Sequence, residues 1–232
     1  MINIDNYLDS HYIHRSNWLR AAVLGANDGI ISISSLAIGI AAASSTREPI
    51  MLATVAGLVA GALSMAAGEY VSVSSQTDIE KADIEREKKE LQEMPEAELQ
   101  ILAQIYEKRG LKKDTALQVA KELTETDALG THIRDELGIN EISQANPLQA
   151  ALASGAAFTI GGVLPLLVTL FAPVKGMEYW LYGFTLIFLI ILGAMSAKTG
   201  GSSVAKAIMR ITVWGTIAMG LSAIVGYLFG VN

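Results

Sequence analysis

The chain has 232 residues, of which 51% are hydrophobic and 17% charged, with 21 glycines, no cysteine and a formal net charge of −6. Together with a positive mean hydropathy, this composition favours a polytopic helical membrane protein over a soluble domain of equal length. Without cysteine, neither a disulfide framework nor a thiolate metal site is available. A metal would therefore be held by oxygen, imidazole or thioether groups.

Five apolar segments are each long enough, or nearly so, to cross the hydrocarbon core of a bilayer, which takes roughly 20 helical residues. They comprise residues 21–46, 49–77, 142–174, 179–197 and 207–232. We therefore predict an all-α membrane protein with five spans. We divide it into a tail with spans one and two (1–77), an inserted charged domain (78–141) and spans three to five (142–232).

The inserted domain holds most of the charge. It contains 17 acids and 10 bases, whereas the residues outside it sum to a charge of +1. A negative field of this kind attracts cations and disfavours nucleic acid as a partner. The bland alternative is that these charges only keep a small helical bundle soluble.

The second span is predicted to continue into the charged domain as one long helix, because no helix breaker separates Ile50 from Pro95. A helix from 50 to 94 would be about 65 Å long, twice the hydrocarbon thickness. Shorter helices are expected to follow: one with Pro95 in its first turn, one capped by Asp114 and one capped by Thr126 or Asp127.

Basic residues predict the orientation of the spans. They are concentrated in the N-terminal tail, the charged domain and the segment between spans four and five, while the other two loops hold only Arg47 and Lys175. The positive-inside tendency places the N-terminus and residues 78–141 in the cytosol. The first 17 residues have no signal-peptide core. We expect a multi-pass protein of a bacterial inner membrane, or of a vacuolar membrane if the cell is eukaryotic.

Two carboxylates, Asp28 and Glu69, lie well inside the predicted spans. A charge at such depth costs at least about 2.5–3.5 kcal/mol, so it normally faces a polar cavity and marks a pathway. Asp28 belongs to a stripe at helical spacing with Ser32 and Ser35, and Glu69 to a similar stripe that includes Met65. Such stripes could line one cation path or pack helix against helix. The Met65 thioether would favour a transition metal over Ca²⁺ or Mg²⁺.

Carboxylate and imidazole groups of the charged domain form a second candidate site. Glu87 and Glu90 are neighbours at i, i+3, and Glu98 with the His132 and Glu136 pair could converge on them if the short helices fold back. These are the ligand types expected for Fe²⁺, Mn²⁺ or Zn²⁺. A Glu-x-x-Glu pair alone is a weak signal, since it is common on any solvated helix.

Several motifs make the chain resemble the vacuolar iron transporter family over nearly its whole length. They are GANDGI (25–30), GALSMAAGEYVS (61–72), PEAEL (95–99), IYEKRGL (105–111), RDELGI (134–139) and NPLQAA (146–151). The resemblance implies an antiporter that moves Fe²⁺, and often Mn²⁺, out of the cytosol in exchange for protons. It also implies a homodimer and a cytosolic metal-binding domain of ferritin-like helices.

The resemblance assigns roles to individual positions. Asp28 and Met65 match residues of the intramembrane metal path. Carboxylate ligands of the cytosolic domain match Glu87, Glu90, Glu98 and Glu136.

Three positions depart from the plant members. Ile101 stands where they have a further glutamate, and His132 stands in place of a methionine ligand. A glutamate of their second span falls at Gly57, whereas this chain has Glu69 three turns later. These departures indicate a rearranged membrane path, such as Asp28 with Glu69.

The favoured hypothesis is a proton-coupled divalent metal transporter, not an enzyme, that needs no prosthetic group. Its expected partners are the lipid bilayer, the metal ion, protons and a second copy of itself. The alternative is a membrane-tethered ferroxidase or iron-storage module. Ferritin-type centres use Glu-x-x-His pairs, and His132 precedes Glu136 by four residues, which weighs against that alternative. A membrane scaffold would leave Asp28 and Glu69 unexplained.

Overall fold

The computed structural model describes residues 16–139 and 146–230, and this part of the chain contains seven α-helices and no strand. The helices are α1 (Ser16–Ala43), α2 (Arg47–Glu93), α3 (Pro95–Lys108), α4 (Lys113–Asp135), α5 (Pro147–Phe171), α6 (Met177–Thr199) and α7 (Val204–Phe229). The chain divides into two compact units. The first comprises Met1–Tyr70 with Leu148–Asn232, and the second comprises Val71–Pro147.

Five helices of the described chain are long and apolar enough to cross a membrane: α1 from Ala22 onward, α2, α5, α6 and α7. Large apolar side chains on them point away from the protein, and those of Leu63, Ile160 and Phe171 are 66%, 70% and 77% exposed. Such a surface is unfavourable in water and suits lipid. The all-α, five-span prediction is confirmed at this level, and the chain is an integral membrane protein.

Helix α1 packs against α6 and α7 of the first unit and lies backbone to backbone with α5. A Cβ atom placed on Gly29 would lie 2.1 Å from the Phe158 carbonyl oxygen, and one on Gly161 would lie 2.2 Å from that of Ala26. Small residues allow this close approach, which supplies van der Waals contact between helices in lipid. Gly29 and Gly161 therefore serve helix packing.

Arg47 fastens the beginning of α2 to the end of α5. Its guanidinium donates hydrogen bonds to the carbonyl oxygens of Thr169 at 3.0 Å, Ala172 at 2.7 Å and Leu170. The last carbonyls of a helix lack intrahelical partners, and a basic side chain can satisfy them. Helix α2 begins at Arg47, two residues before the segment 49–77 predicted for the second span.

The long second helix is present as predicted: α2 continues for 47 residues without interruption. Its charged portion begins after residue 77, so Glu87 lies outside the apolar, membrane-spanning part. In the second unit α3 packs against α4 around a small apolar core. That core comprises Leu102, Ala103 and Ala120, with Leu99, Tyr106 and Leu117 against it.

The two predicted caps of the charged domain have different outcomes. Asp114 does not cap a helix, because α4 already begins at Lys113 after an extended Lys112, with no side-chain cap bond. Asp127 does act as a cap: its backbone is non-helical, with φ −160° and ψ 88°, and its Oδ1 accepts the Gly130 N–H at 3.0 Å. The two helices expected here are therefore both present: they meet at a kink at Asp127, and α4 denotes the pair.

Candidate metal centre

Three carboxylates and one imidazole converge in the second unit. Their ligand atoms all lie within 4.8 Å of one another. We call Glu87, Glu98, His132 and Glu136 the carboxylate–imidazole cluster. Glu87 belongs to α2, Glu98 to the first turn of α3, and His132 to the last turn of α4, which Glu136 follows directly.

Local structure explains how these residues are presented. Met94 interrupts the helical backbone with φ −136° and ψ 49°, and Pro95 begins α3, so Glu87 and Glu98 lie on separate helices. His132 and Glu136 are four residues apart, a spacing that puts their side chains on the same side of a helix. The core under α3 and α4 then brings the helices together. As whole residues, Glu87 is 1% exposed, Glu98 3% and His132 0%.

The imidazole of His132 lies at the centre of the cluster. Its Nδ1 is 2.9 Å from Glu87 Oε1, 2.9 Å from Glu136 Oε2 and 3.9 Å from Glu98 Oε2. Of these contacts, the one with Glu136 has hydrogen-bond geometry and the one with Glu87 does not. Glu87 Oε1 and His132 Nε2 are therefore buried without a hydrogen-bond partner. Buried polar atoms are normally satisfied, so this donor set fits a divalent cation, which would occupy several acceptors at once.

Electrostatics in the cluster also fit a cation. Burial raises the pKa of Glu87, the charge of Glu136 raises it further, and His132 opposes both effects. Burial likewise raises the pKa of Glu98, with Glu136 again adding to the rise and His132 opposing it. Ionised carboxylates in such a place are costly. A bound cation would remove that cost.

Glu90 is not one of the four cluster residues. Its carboxylate lies 3.8 Å from Arg86 Nε, yet its charge still raises the pKa values of Glu87 and Glu98. Its role as a ligand stays a prediction. Ile101, which stands where the plant members have a further glutamate, is exposed on α3.

The intramembrane candidates line one cavity of about 390 Å³ in the first unit. Asp28 and Ser32 of α1 face it with Met65 and Glu69 of α2, and Ser32 Oγ donates a 2.5 Å hydrogen bond to Asp28 Oδ1. Ser35, predicted on the same stripe, lies outside this lining, and its hydroxyl oxygen is buried. Two predicted polar stripes thus meet at one space.

Phe158 forms part of the cavity wall, which the sequence reasoning missed. A Cβ atom on Gly61 would lie 2.3 Å from its ring. The missing side chain at Gly61 therefore leaves room for Phe158. Nothing in the sequence pattern of α5 distinguishes this phenylalanine from one that faces lipid.

Four residues from two quoted motifs form a polar network in the second unit that was also missed. They are Tyr106 and Arg109 of IYEKRGL, and Arg134 and Asp135 of RDELGI. Burial alone would raise the Asp135 pKa, but hydrogen bonds from Arg134, Arg109 and Tyr106 outweigh it and lower that pKa to about 2. Asp135 is therefore ionised at every physiological pH.

The chain can be compared with known proteins over almost its full length. The family model described as the VIT family matches residues 19–227. This chain belongs to the VIT family. The resemblance found in the motifs is thereby confirmed, and both candidate sites lie within the residues matched to the VIT family.

Named relatives in the VIT family cover most of the chain. It is 42% identical to a vacuolar iron transporter of Acanthamoeba castellanii, over 97% of this chain and 84% of that protein. It is 37% identical to vacuolar iron transporter homolog 1 of Oryza sativa subsp. japonica, over 96% of this chain and 78% of that protein. It is 34% identical to vacuolar iron transporter homolog 2.1 of Arabidopsis thaliana, over 91% of this chain and 81% of that protein.

Proposed function

We propose that this protein transports Fe²⁺, and also Mn²⁺, across a membrane in exchange for protons. The observation that carries the proposal is the carboxylate–imidazole cluster, in a chain whose VIT relatives are named vacuolar iron transporters. The intramembrane cavity with two carboxylates supports it, because an acid inside a span normally marks an ion or proton pathway.

The first step of the mechanism is capture. The second unit acts as a ferritin-like metal-binding domain on the cytosolic side, and the cluster takes up the metal ion as substrate. Oxygen and imidazole ligands suit Fe²⁺, Mn²⁺ and Zn²⁺. Glu90 adds negative charge nearby, which increases the attraction for a cation.

The second step is passage through the first unit. Asp28, Met65 and Glu69 line the cavity and bind the ion on its way across. The Met65 thioether favours a transition metal over Ca²⁺ or Mg²⁺. Asp28 or Glu69 accepts the proton that returns, because an acid inside a span normally marks an ion or proton pathway.

The direction of transport is out of the cytosol. The charge distribution of the loops supports a cytosolic location for the N-terminus and the second unit, and captured ions would then leave toward the opposite side. That side is outside the inner membrane in a bacterium and inside a vacuole in a eukaryote. We further propose that the working form is a homodimer.

The test is metal flux into proteoliposomes, measured for Fe²⁺ and Mn²⁺ with and without an imposed pH gradient. We expect gradient-driven flux in the wild type and flux near background in Asp28→Ala, because the path loses a carboxylate. Glu48→Gln is the matched control, since it changes an exposed carboxylate in the first turn of α2, outside the cavity lining. Unchanged flux in the double variant Asp28→Ala, Glu69→Ala would overturn the proposed path.

A second candidate function is iron oxidation or storage by the cluster. Three carboxylates with one histidine are chemically similar to a di-iron site, although ferritin-type centres use Glu-x-x-His pairs. Oxygen-dependent oxidation of Fe²⁺ by the full chain, without metal flux, would favour this candidate over transport.

A further inference from the structure

Glu136 is the least constrained member of the carboxylate–imidazole cluster. It is the C-cap of α4, and its side chain is 29% exposed, whereas those of Glu87, Glu98 and His132 are at most 5% exposed. Helix ends fray, because their last carbonyl groups have no intrahelical partners. A metal ligand at such a place needs something else to hold the backbone that carries it.

Asp135, the residue before Glu136, is held by side chains of α3. The Tyr106 hydroxyl donates to its Oδ2 at 2.8 Å, and the Arg109 guanidinium donates to its Oδ1 at 2.8 Å and to its backbone carbonyl at 3.2 Å. Arg134 adds a 2.9 Å bond to Oδ2. Because both the side chain and the carbonyl of Asp135 are bound, the last turn of α4 is fixed in position and in rotation.

The same α3 helix carries a cluster residue. Glu98, Leu102 and Tyr106 are spaced at i, i+4 and i+8, which places them along one side of the helix. Leu102 is fully buried in the core that α3 shares with α4, and Tyr106 packs against that core. The hydrogen bonds to Asp135 therefore fix the register of Glu98 relative to His132 and Glu136.

Arg109, Arg134 and Asp135 do not attract a metal ion by their combined charge. Arg109 and Arg134 together outnumber the single negative charge of Asp135, and cations beside a cation site weaken binding. The Arg109 guanidinium also lies over the Tyr106 ring, 5.1 Å from its centroid, which favours a single orientation of both side chains. A geometric role fits this arrangement, since positioning bonds raise affinity without contributing charge.

We propose that Tyr106, Arg109 and Asp135 form a clamp that positions the end of α4 for metal binding. These are positioning residues that do not touch the metal. The inference rests on the proposed metal capture by the cluster. It gives a physical role to the IYEKRGL and RDELGI motifs, which the transport proposal leaves without one.

The test measures Mn²⁺ binding to the full chain in detergent by electron paramagnetic resonance. All variants carry Asp28→Asn and Glu69→Gln, so that the signal reports the cluster. Tyr106→Phe removes one hydroxyl donor and keeps the ring. We expect it to weaken Mn²⁺ affinity about tenfold, as is typical for residues that orient metal ligands, and to change the spectrum of the bound ion.

Thermal unfolding of the metal-free protein distinguishes a positioning role from a purely structural one. A purely structural role would lower the unfolding temperature and leave the Mn²⁺ affinity unchanged.

Arg109→Lys is a second variant with the same expected effect on affinity. It keeps the positive charge but loses the guanidinium fork that binds both the side chain and the carbonyl of Asp135. Two matched controls should leave the affinity unchanged. Asp114→Asn removes a carboxylate at the other end of α4, and Tyr182→Phe removes a hydroxyl that lies 3.3 Å from Thr216 in the first unit.

A double-mutant cycle identifies the residue through which the clamp acts. If Tyr106 works by holding Glu136, then Tyr106→Phe should cost much less affinity in a Glu136→Gln background, since coupled residues are not additive.

The outcomes of the binding test are distinct. If Tyr106→Phe and Arg109→Lys bind Mn²⁺ with unchanged affinity and spectrum while Glu87→Gln loses binding, the clamp is overturned and metal capture stands. The clamp is equally overturned if the variants only lower the unfolding temperature. If the protein with only Asp28→Asn and Glu69→Gln binds no Mn²⁺, the proposal of metal capture by the cluster is overturned, and the clamp proposal is overturned with it.

Discussion

At the scale of single residues, the proposed metal binding by Glu87 and the stability of the metal-free fold oppose each other. Its carboxylate is almost fully buried, and burial together with the charge of Glu136 raises its pKa above the usual 4.5. The metal-free fold therefore holds a negative charge at a cost. Selection for stability alone would remove it, since neighbouring carboxylates disfavour its ionised form.

We predict that Glu87→Gln stabilises the metal-free protein at neutral pH by about 1 kcal/mol, a typical size for a single substitution, because it removes a carboxylate that other carboxylates repel. The same substitution should abolish Mn²⁺ binding to the cluster. Because the folded-state pKa is raised, the cost of the carboxylate is fully present above that pKa. The gain should therefore shrink as the pH falls toward 4.5. Thermal unfolding with a chelator measures it, and Glu125→Gln, at an exposed position of α4, is the control. Destabilisation by Glu87→Gln at neutral pH would contradict this account.

At the scale of elements, the contact between α1 and α5 depends on residues without side chains. Gly29 faces the backbone of Phe158, and Gly161 faces that of Ala26. A backbone atom cannot move aside as the end of a flexible side chain can. These two helices also carry Asp28 and Phe158 of the cavity lining, so their separation sets the width of the proposed path.

We predict that Gly29→Ala destabilises the first unit by about 1–3 kcal/mol, the usual cost of overpacking a filled site, and reduces metal flux. The added Cβ would lie 2.1 Å from the Phe158 carbonyl oxygen, so the helices must separate. Unfolding temperature in detergent and flux in proteoliposomes measure the two effects. Gly183→Ala in α6 is the control, since no atom lies within 4 Å of a Cβ placed there. Equal behaviour of the two variants would refute the tight contact.

At the scale of the whole molecule, the order of apolar and charged segments determines which parts share a side of the membrane. With five spans, the second unit and the loop between α6 and α7 should lie on the same side, and the loop between α5 and α6 on the other. From the basic residues of the loops, we propose that the first of these sides is the cytosol.

The lack of native cysteine makes this arrangement directly measurable. We predict that an impermeant maleimide labels Gln104→Cys and Ser202→Cys in inside-out vesicles but labels Lys175→Cys in intact cells. All three replaced residues are exposed, so accessibility does not differ among them before the membrane is considered. Ser202→Cys serves as the internal control for Gln104→Cys. Labelling of Gln104→Cys and Lys175→Cys from the same side would disprove the orientation.

The sequence by itself determined the features that depend on neighbouring residues. Hydropathy and length are local properties, so the five spans could be predicted, as could the unbroken helix from Arg47 to Glu93. The Asp127 cap could be predicted for the same reason, because its hydrogen bond reaches only to Gly130. The prediction that Asp114 caps a helix was wrong. Several neighbouring residues could begin α4, and the extended Lys112 occupies the cap position instead.

Only the tertiary structure decided which candidates meet. The sequence offered five candidate ligands in the charged domain. Packing brings Glu87, Glu98, His132 and Glu136 together, while Glu90 lies beside Arg86. It also paired the IYEKRGL motif with RDELGI through the bonds to Asp135. These residues are far apart along the chain. Their convergence depends on how α3 packs against α4, which residue type and spacing cannot specify.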